Sequence, residues 1–256
     1  MTIKEYEQFE QEQNERTQKL IQAMLALLLA FRKDVDRELS DFYRKYGSDG
    51  VVTYQEANKY MSSTNHRRRM IVLFMAITTA LTGMFNSLHG KMNEHFQGII
   101  KREFRLHGLK VSDELLDKIL KTKWVNEYGS SNWEERLDGY HARWGLVLPN
   151  DVKTAFHTNN DIDDIMDDYN IRQRSMQNLL TTLINTEATA VGSLARREIF
   201  RQQGIKKYKF YAMEDERTCE ECNALHGKIF PISAYEVGVT ASPIHMRCRC
   251  FEVPIN

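Results

Sequence analysis

Proline is nearly missing from this chain of 256 residues: there are four, and none precedes Pro149. With no pyrrolidine ring to remove an i→i−4 hydrogen bond, the first 148 residues are free to run as long helices. Cysteine is as scarce, four in all, and every one lies beyond residue 218. That excludes a disulfide framework spread along the chain. Net charge is missing too: Lys+Arg and Asp+Glu are both 35, so no whole-protein field draws in nucleic acid or an anionic membrane. An apolar run of full spanning length is also absent. The most apolar stretch, Met70–Phe85, is about 16 residues and carries Thr78, Thr79, Thr82 and Gly83, short of the ~20 a spanning helix needs. It is expected to be a core helix buried on most sides, with no membrane partner. Residues 1–19 are polar and charged apart from Tyr6 and Phe9. A secretory leader is therefore not expected, and a reducing cytoplasm is, where paired cysteines point to metal.

What is present is helical periodicity. Leu20, Met24, Leu27, Leu28, Phe31, Val35, Leu39 and Phe42 form one stripe, which predicts a single helix from Ile3 to Tyr46 of about 65 Å. Gly47–Gly50 stops it, and Thr53-x-x-Glu56 offers a capping box for a short helix. The cations Arg67–Arg69 at the start of the next helix oppose its dipole, which favours an acidic or phosphate partner for them. Ser112 opens a helix expected to reach about Tyr128; Gly129 breaks it and Ser131-x-x-Glu134 starts another. Trp133 and Trp144 share one face of that helix as packing anchors. Asp161–Asp168 lacks the mid-loop Gly and closing Glu of a calcium loop and reads as an acidic amphipathic helix. Ile171–Gln203 is a further long helix ended by Gly204, with Glu187 on its apolar face. A carboxylate there needs a partner; Arg217 or Arg249 is expected to supply it, and general acid/base work is the weaker reading.

The cysteines form the one strong motif. Cys219-x2-Cys222 is followed after 22 residues by His245-x2-Cys248-x-Cys250, five soft donors in two tight groups, as in a tetrahedral structural zinc site. Cys219 and Cys222 are the secure half. Two of His245, Cys248 and Cys250 complete the set: both thiols if 248–250 is extended, or His245 and one Cys if the chain turns. Lys207–Met213, Gly227–Ile232 and Phe251–Ile255 read as strands around the motif, with the first Cys pair at a hairpin turn. The fold class is α+β: a mostly α-helical body with long helices and a small C-terminal zinc-knuckle β hairpin domain. The expected segments are 1–128, 129–203 leading into the C-terminal part, and 204–256. Truncation after Gln203 is expected to leave most helicity intact. Arg196, Arg197, Arg201, Lys206, Lys207 and Lys209 make a basic band at the helix–hairpin junction, a candidate contact for DNA phosphates.

The order Thr186-Glu187, Gly204-Ile205, Asp215-x-Arg217-Thr218-Cys219-x2-Cys222-x2-Leu225-x-Gly227-Lys228, then Pro243-x-His245-x2-Cys248-Arg249-Cys250, resembles the C-terminal domain of tailed-phage minor head proteins, the head morphogenesis family similar to the F protein of phage Mu. The resemblance covers residues 180–256, with a weaker echo from Ser131-Asn-Trp133-Glu-Glu-Arg136. It implies a non-enzymatic head (capsid) protein, incorporated in few copies during procapsid assembly. The portal and other head proteins would be its partners, and packaged DNA would lie nearby. It implies localisation in the host cytoplasm during assembly and inside the virion head afterwards, and no small-molecule substrate. Within the motif, Glu187, Asp215, Arg217 and Arg249 are expected to form a structural network. The rival readings are a zinc-containing nucleic-acid-binding module and a zinc-dependent nuclease.

Overall fold

The computed structural model describes residues 2–46, 64–126, 129–157, 162–213 and 218–255. Four long helices dominate: α1, Ile3–Tyr46; α2, Thr64–Leu106; α4, Trp133–His157; and α5, Ile162–Gln202. Between them lie the short helix α3, Asp113–Leu120, and a two-stranded hairpin, β1 Trp124–Asn126 with β2 Gly129–Ser131. The C-terminal part holds β3 (Lys207–Tyr211), the short helix α6 (Glu220–Leu225), β4 (Ile229–Pro231) and β5 (Phe251–Ile255). This is the expected α+β architecture. The chain folds into two compact units, one of Met1–Gln22, Gly90–Arg136 and Leu180–Asn256, the other of Ala23–His89 and Leu137–Leu179. Both are discontinuous, and each long helix contributes to both. The contiguous segments 1–128, 129–203 and 204–256 therefore do not coincide with the units, and Gly204 lies inside the first.

Among the described residues, the unit of residues 23–89 and 137–179 is helical. Met24, Leu28, Phe31, Val35 and Leu39 bury the α1 stripe that the periodicity marks. The Met70–Phe85 expectation needs correction. Met70, Leu73, Ile77, Leu81, Met84 and Phe85 are buried, but Ile71, Val72 and Met75 are more than half exposed, so one stripe is covered and not most sides. By length and composition alone Met70–Leu106 suffices to cross a membrane, with 33% of its most apolar window buried. The helix also begins at Thr64, so His66–Arg69 lies within its first turns. The Gly47–Gly50 stop and the Thr53–Glu56 box fall outside the described residues. The acidic stretch from Ile162 and the helix expected from Ile171 are one continuous α5, because Ile165, Tyr169 and Met176 carry a single buried stripe across the junction.

The other unit is built on the second half of α5, where burial extends around most of the helix from Leu183 to Phe200. Its end is a Schellman motif: Gly204 at φ +67 lets its own N–H reach Arg201 O and the Ile205 N–H reach Phe200 O. Two local expectations shift here. The helix opened by Ser112 stops at Leu120, not Tyr128, because Trp124–Asn126 pairs as a strand with Gly129–Ser131. The capping box sits one residue later than expected, with Asn132 Oδ1 accepting from Glu135 N and Glu135 Oε2 from Asn132 N. Downstream, β3 is central in an antiparallel sheet of order β4-β3-β5. Tyr208 and Phe210 of β3 point inward.

A buried ion cluster ties this sheet to the helices. Arg196 of α5, 1% exposed, pairs with Glu10 of α1, lies 3.6 Å from Glu103 of α2 and 3.4 Å from Glu252 of β5. Three carboxylates around one guanidinium leave excess negative charge in a low-dielectric site, and a bound proton relieves it. Burial pushes Glu103 up to about 8, opposed by Arg196 and reinforced by Glu10 and Glu252. Because the folded value lies above the ordinary 4.5, Glu103 contributes stability that is full below about pH 4.5 and lost as pH rises through about 8, by up to about 1.4 kcal/mol per pH unit. Glu103→Gln, which mimics the protonated acid, is expected to flatten that fall. Denaturant unfolding from pH 5 to 9 checks this: the variant should gain on wild type as pH rises, and parallel curves would contradict it.

Candidate metal centre

The five donors arrive on two short segments. Cys219 is the N-cap of α6, with Sγ accepting from Cys222 N at 3.4 Å, so both side chains start the same short helix. The expected simple hairpin turn is thus a β3–β4 connection with a helical turn inserted. On the second segment the chain turns after His245, where Cys248 N donates to His245 O at 3.2 Å, and Arg247 adopts φ +60. Cys250 then leads directly into β5.

These turns bring the donors together. His245 Nε2 is 3.1 Å from Cys219 Sγ and 3.2 Å from Cys222 Sγ, and Cys222 Sγ is 3.7 Å from Cys248 Sγ. Cys219, Cys222 and His245 form one group, and Cys222, Cys248 and Cys250 a second, with the donor atoms of each group within 4.8 Å of one another. A tetrahedral Zn–S bond of ~2.3 Å implies S···S edges of about 3.8 Å and S···N edges of about 3.5 Å, so the sulfur spacing fits and the imidazole sits slightly close. His245 Nδ1 faces its neighbour's carbonyl, Met246 O, at 2.8 Å. With the proton on Nδ1, Nε2 presents its lone pair to the thiols, the orientation a metal-binding imidazole needs. All four cysteines are free thiols; Cys222, Cys248 and Cys250 are buried, and the cavity they share with His245 measures ≈ 20 Å³. Behind the cysteines pack Phe210 and Ala212, with Phe230 and Ile244 against them, while Thr218, Arg247 and Arg249 also line the cavity. Sulfur contacts from Cys222 and Cys250 hold the Cys248 thiol well below its ordinary range, while the contact with Cys248 pushes Cys222 up. Several thiolates this close together repel one another unless a cation lies among them. The cluster can hold a metal ion.

The remaining candidates fare differently. Glu187 is 2% exposed, as its helical phase requires, but its partners are Arg136, which also donates to Trp124 O at 2.9 Å, and Trp124 Nε1 at 3.0 Å. The expected partners are corrected accordingly: Arg249 lies at the metal cavity, and Arg217, like Asp215, falls outside the described residues. Arg136 stacks over the Trp124 ring at 4.1 Å, so one cation serves carboxylate, carbonyl and aromatic face. Sequence reasoning missed Trp124 because it lay in an assumed helix; Arg136 was visible in the Trp133–Arg136 segment but not assigned. Arg196 is a correction to the basic band, since it is buried in the ion cluster and cannot meet DNA. Arg201, Lys206 and Lys207 are exposed, Arg197 and Lys209 half-buried. Trp133 and Trp144 are buried anchors as expected.

A module of three strands with clustered Cys and His donors, docked on a long helix, is the class this geometry defines. Residues 151–253 match the family model described as phage Mu protein F like protein. The matched span runs from within α4 to β5 and takes in Glu187 and every candidate metal donor, which bears out the resemblance carried by the motif. No curated protein and no solved structure matches the chain.

Removing the Glu187 carboxylate strands a cation and an indole N–H in the interior. Glu187→Ala is expected to destabilise the protein by about 3 kcal/mol. Glu187→Gln should cost less, because the amide oxygen still accepts from Arg136 or Trp124. Chemical denaturation with Trp fluorescence measures both; equal stability of wild type and the Ala variant would contradict the pairing.

Proposed function

We propose that this chain is a minor head protein of a tailed phage or prophage, a structural component of head morphogenesis that associates with the portal and with other head proteins and lies close to the packaged DNA. The observation that carries the reading is the coincidence of the family match over 151–253 with an assembled five-donor cluster. The protein works in the host cytoplasm during assembly and inside the virion head afterwards. It acts without catalysis: thiolate and imidazole donors make a structural set rather than a hydrolytic one, and the buried carboxylate nearby in sequence, Glu187, is engaged by Arg136 and Trp124. Large exposed apolar side chains such as Val72 and Met75 suit a protein that functions within an assembly.

The cluster takes one structural Zn²⁺ on Cys219, Cys222, His245 and Cys248. The turn between His245 and Cys248 favours these two as the second half of the site, and the Cys222–Cys248 spacing matches a tetrahedral edge. Bound there, zinc would neutralise the thiolates and join the β3–β4 connection to the segment before β5. A nucleic-acid-binding role is the second reading, favoured by the exposed Arg201, Lys206 and Lys207 at the α5–β3 junction.

Elemental analysis of protein purified under reducing conditions is expected to find near-stoichiometric zinc, lost in Cys219→Ser and Cys248→Ser and kept in Cys250→Ser. Metal-free wild type with an ordered sheet would rule zinc out. Co-purification with the portal protein of the same phage tests the head assignment. Binding of plasmid DNA with a steep salt slope, no cleavage and no portal association would favour the second reading.

A further inference from the structure

Thr186 belongs to the motif that carries the family resemblance, yet neither the ion cluster nor the metal donors account for it. Its surroundings do. Three threonines of α5, at 182, 186 and 189, lie along the segment from His245 to Cys250. Thr186 Oγ1 accepts from the backbone N–H of Arg247 at 3.0 Å and lies 3.6 Å from Met246 Sδ. Thr189 Oγ1 donates to Cys248 O at 2.8 Å. Thr182 Oγ1 accepts from the Arg247 side chain at 2.9 Å. Arg247 is the non-glycine residue in the left-handed region between the two donors His245 and Cys248, a conformation that persists only where surroundings hold it. Its N–H, turned toward α5 by that conformation, is the group that Thr186 receives. Thr186 and Thr189 thus bracket the peptide joining Arg247 to Cys248, one on its N-terminal side and one at the carbonyl beyond it.

We propose that Thr186 and Thr189 are positioning residues of the metal centre: they clamp the Arg247–Cys248 backbone on α5 and so set the angle at which His245 and Cys248 face Cys219 and Cys222. This rests on the zinc reading above. The two threonines touch no donor atom, and their effect passes through the backbone. Groups that orient metal ligands from outside the coordination sphere typically change affinity 10–100-fold when removed.

The test uses the full chain, with zinc affinity measured by chelator competition and Co²⁺ as a spectroscopic probe of thiolate coordination. Thr186→Val and Thr189→Val keep side-chain shape and remove the hydroxyl. Each is expected to lower zinc affinity about tenfold or more and to alter the Co²⁺ ligand-field bands, with helicity unchanged. Thr186→Ser and Thr189→Ser, which restore the hydroxyl, are expected to recover both. Val variants with wild-type affinity and spectrum, beside a wild type that binds, overturn the proposal and leave the zinc reading standing. If the Val variants lose helicity, the Ser variants decide it, since weakened binding there overturns it as well. A wild type that takes up neither ion overturns the zinc reading and this proposal together.

Discussion

The guanidinium of Arg196 is the group on which one whole unit of this protein converges. It is buried, and each carboxylate it meets comes from a different element: Glu10 from α1, Glu103 from α2 and Glu252 from β5. Withdrawing such a cation from water costs several kcal/mol, offset only while the geometry holds, so the cluster specifies register as much as it stabilises. Glu252 shows how completely that geometry is defined. Its carboxylate accepts from Ser193 Oγ at 2.9 Å, Tyr235 OH at 2.8 Å and Ser242 N at 2.6 Å. One residue earlier, Phe251 stacks on Tyr6 at 6.3 Å. The first turns of the chain and its last strand are thus fastened at one point. Cutting after Gln203 would remove Glu252 and Tyr235 from around Arg196, a consequence that composition around Gly204 does not reveal.

Much of the helical architecture was legible because it rests on local rules. The α1 bounds followed from a stripe of apolar residues with no proline, and the α5 terminus from a glycine in the one place where a left-handed residue closes the helix. Errors arose where tertiary partners override local signal. Residues 121–128 have no breaker before Gly129, so a helix was the local expectation, and cross-strand pairing with Gly129–Ser131 decided otherwise. Met70–Phe85 is apolar on nearly every face, so periodicity has no contrast from which to read the buried side. Glu187 reads as buried and needing a cation, but its partner stands 51 residues away in sequence, and the two arginines of the cysteine motif, Arg217 and Arg249, are as eligible on chemistry alone.

The metal site was legible in composition and not in geometry. Spacing identified the five donors; it left open whether the chain extends or turns between His245 and Cys248. The turn depends on Arg247 adopting a positive φ, which no sequence rule assigns to arginine. What holds it is a feature of α5 that reads ambiguously in one dimension. Thr182, Thr186, Thr189, Ser193 and Arg196 recur at steps of four and three, a single helical stripe. A polar stripe ordinarily faces water. Here it is the docking edge for the C-terminal chain: the threonines take the segment around Arg247 and Cys248, Ser193 takes Ser242 and Glu252, and Arg196 takes Glu252.

That arrangement sets a cluster of candidate metal donors at one end of the stripe and an ion cluster at the other. Around Arg196 the docking groups are charged and come from several helices as well as the strand, so the Glu252 end is held by partners that exist once the helices pack. Around Thr186 and Thr189 the docking groups are neutral hydroxyls, each contributing only about 1 kcal/mol net, and the segment they receive carries a costly left-handed residue, Arg247. The apolar cluster behind it is small, Phe210 and Ala212 with the cysteines themselves, and a core of that size supplies little. A structural zinc of the kind proposed, with apparent binding free energy of about 10–16 kcal/mol in small domains, would close that gap. It would draw its donors from the β3–β4 connection and from the segment before β5. Under that proposal metal and threonine stripe depend on each other: the hydroxyls would set the ligand angles, and the ion would keep the loop against the hydroxyls.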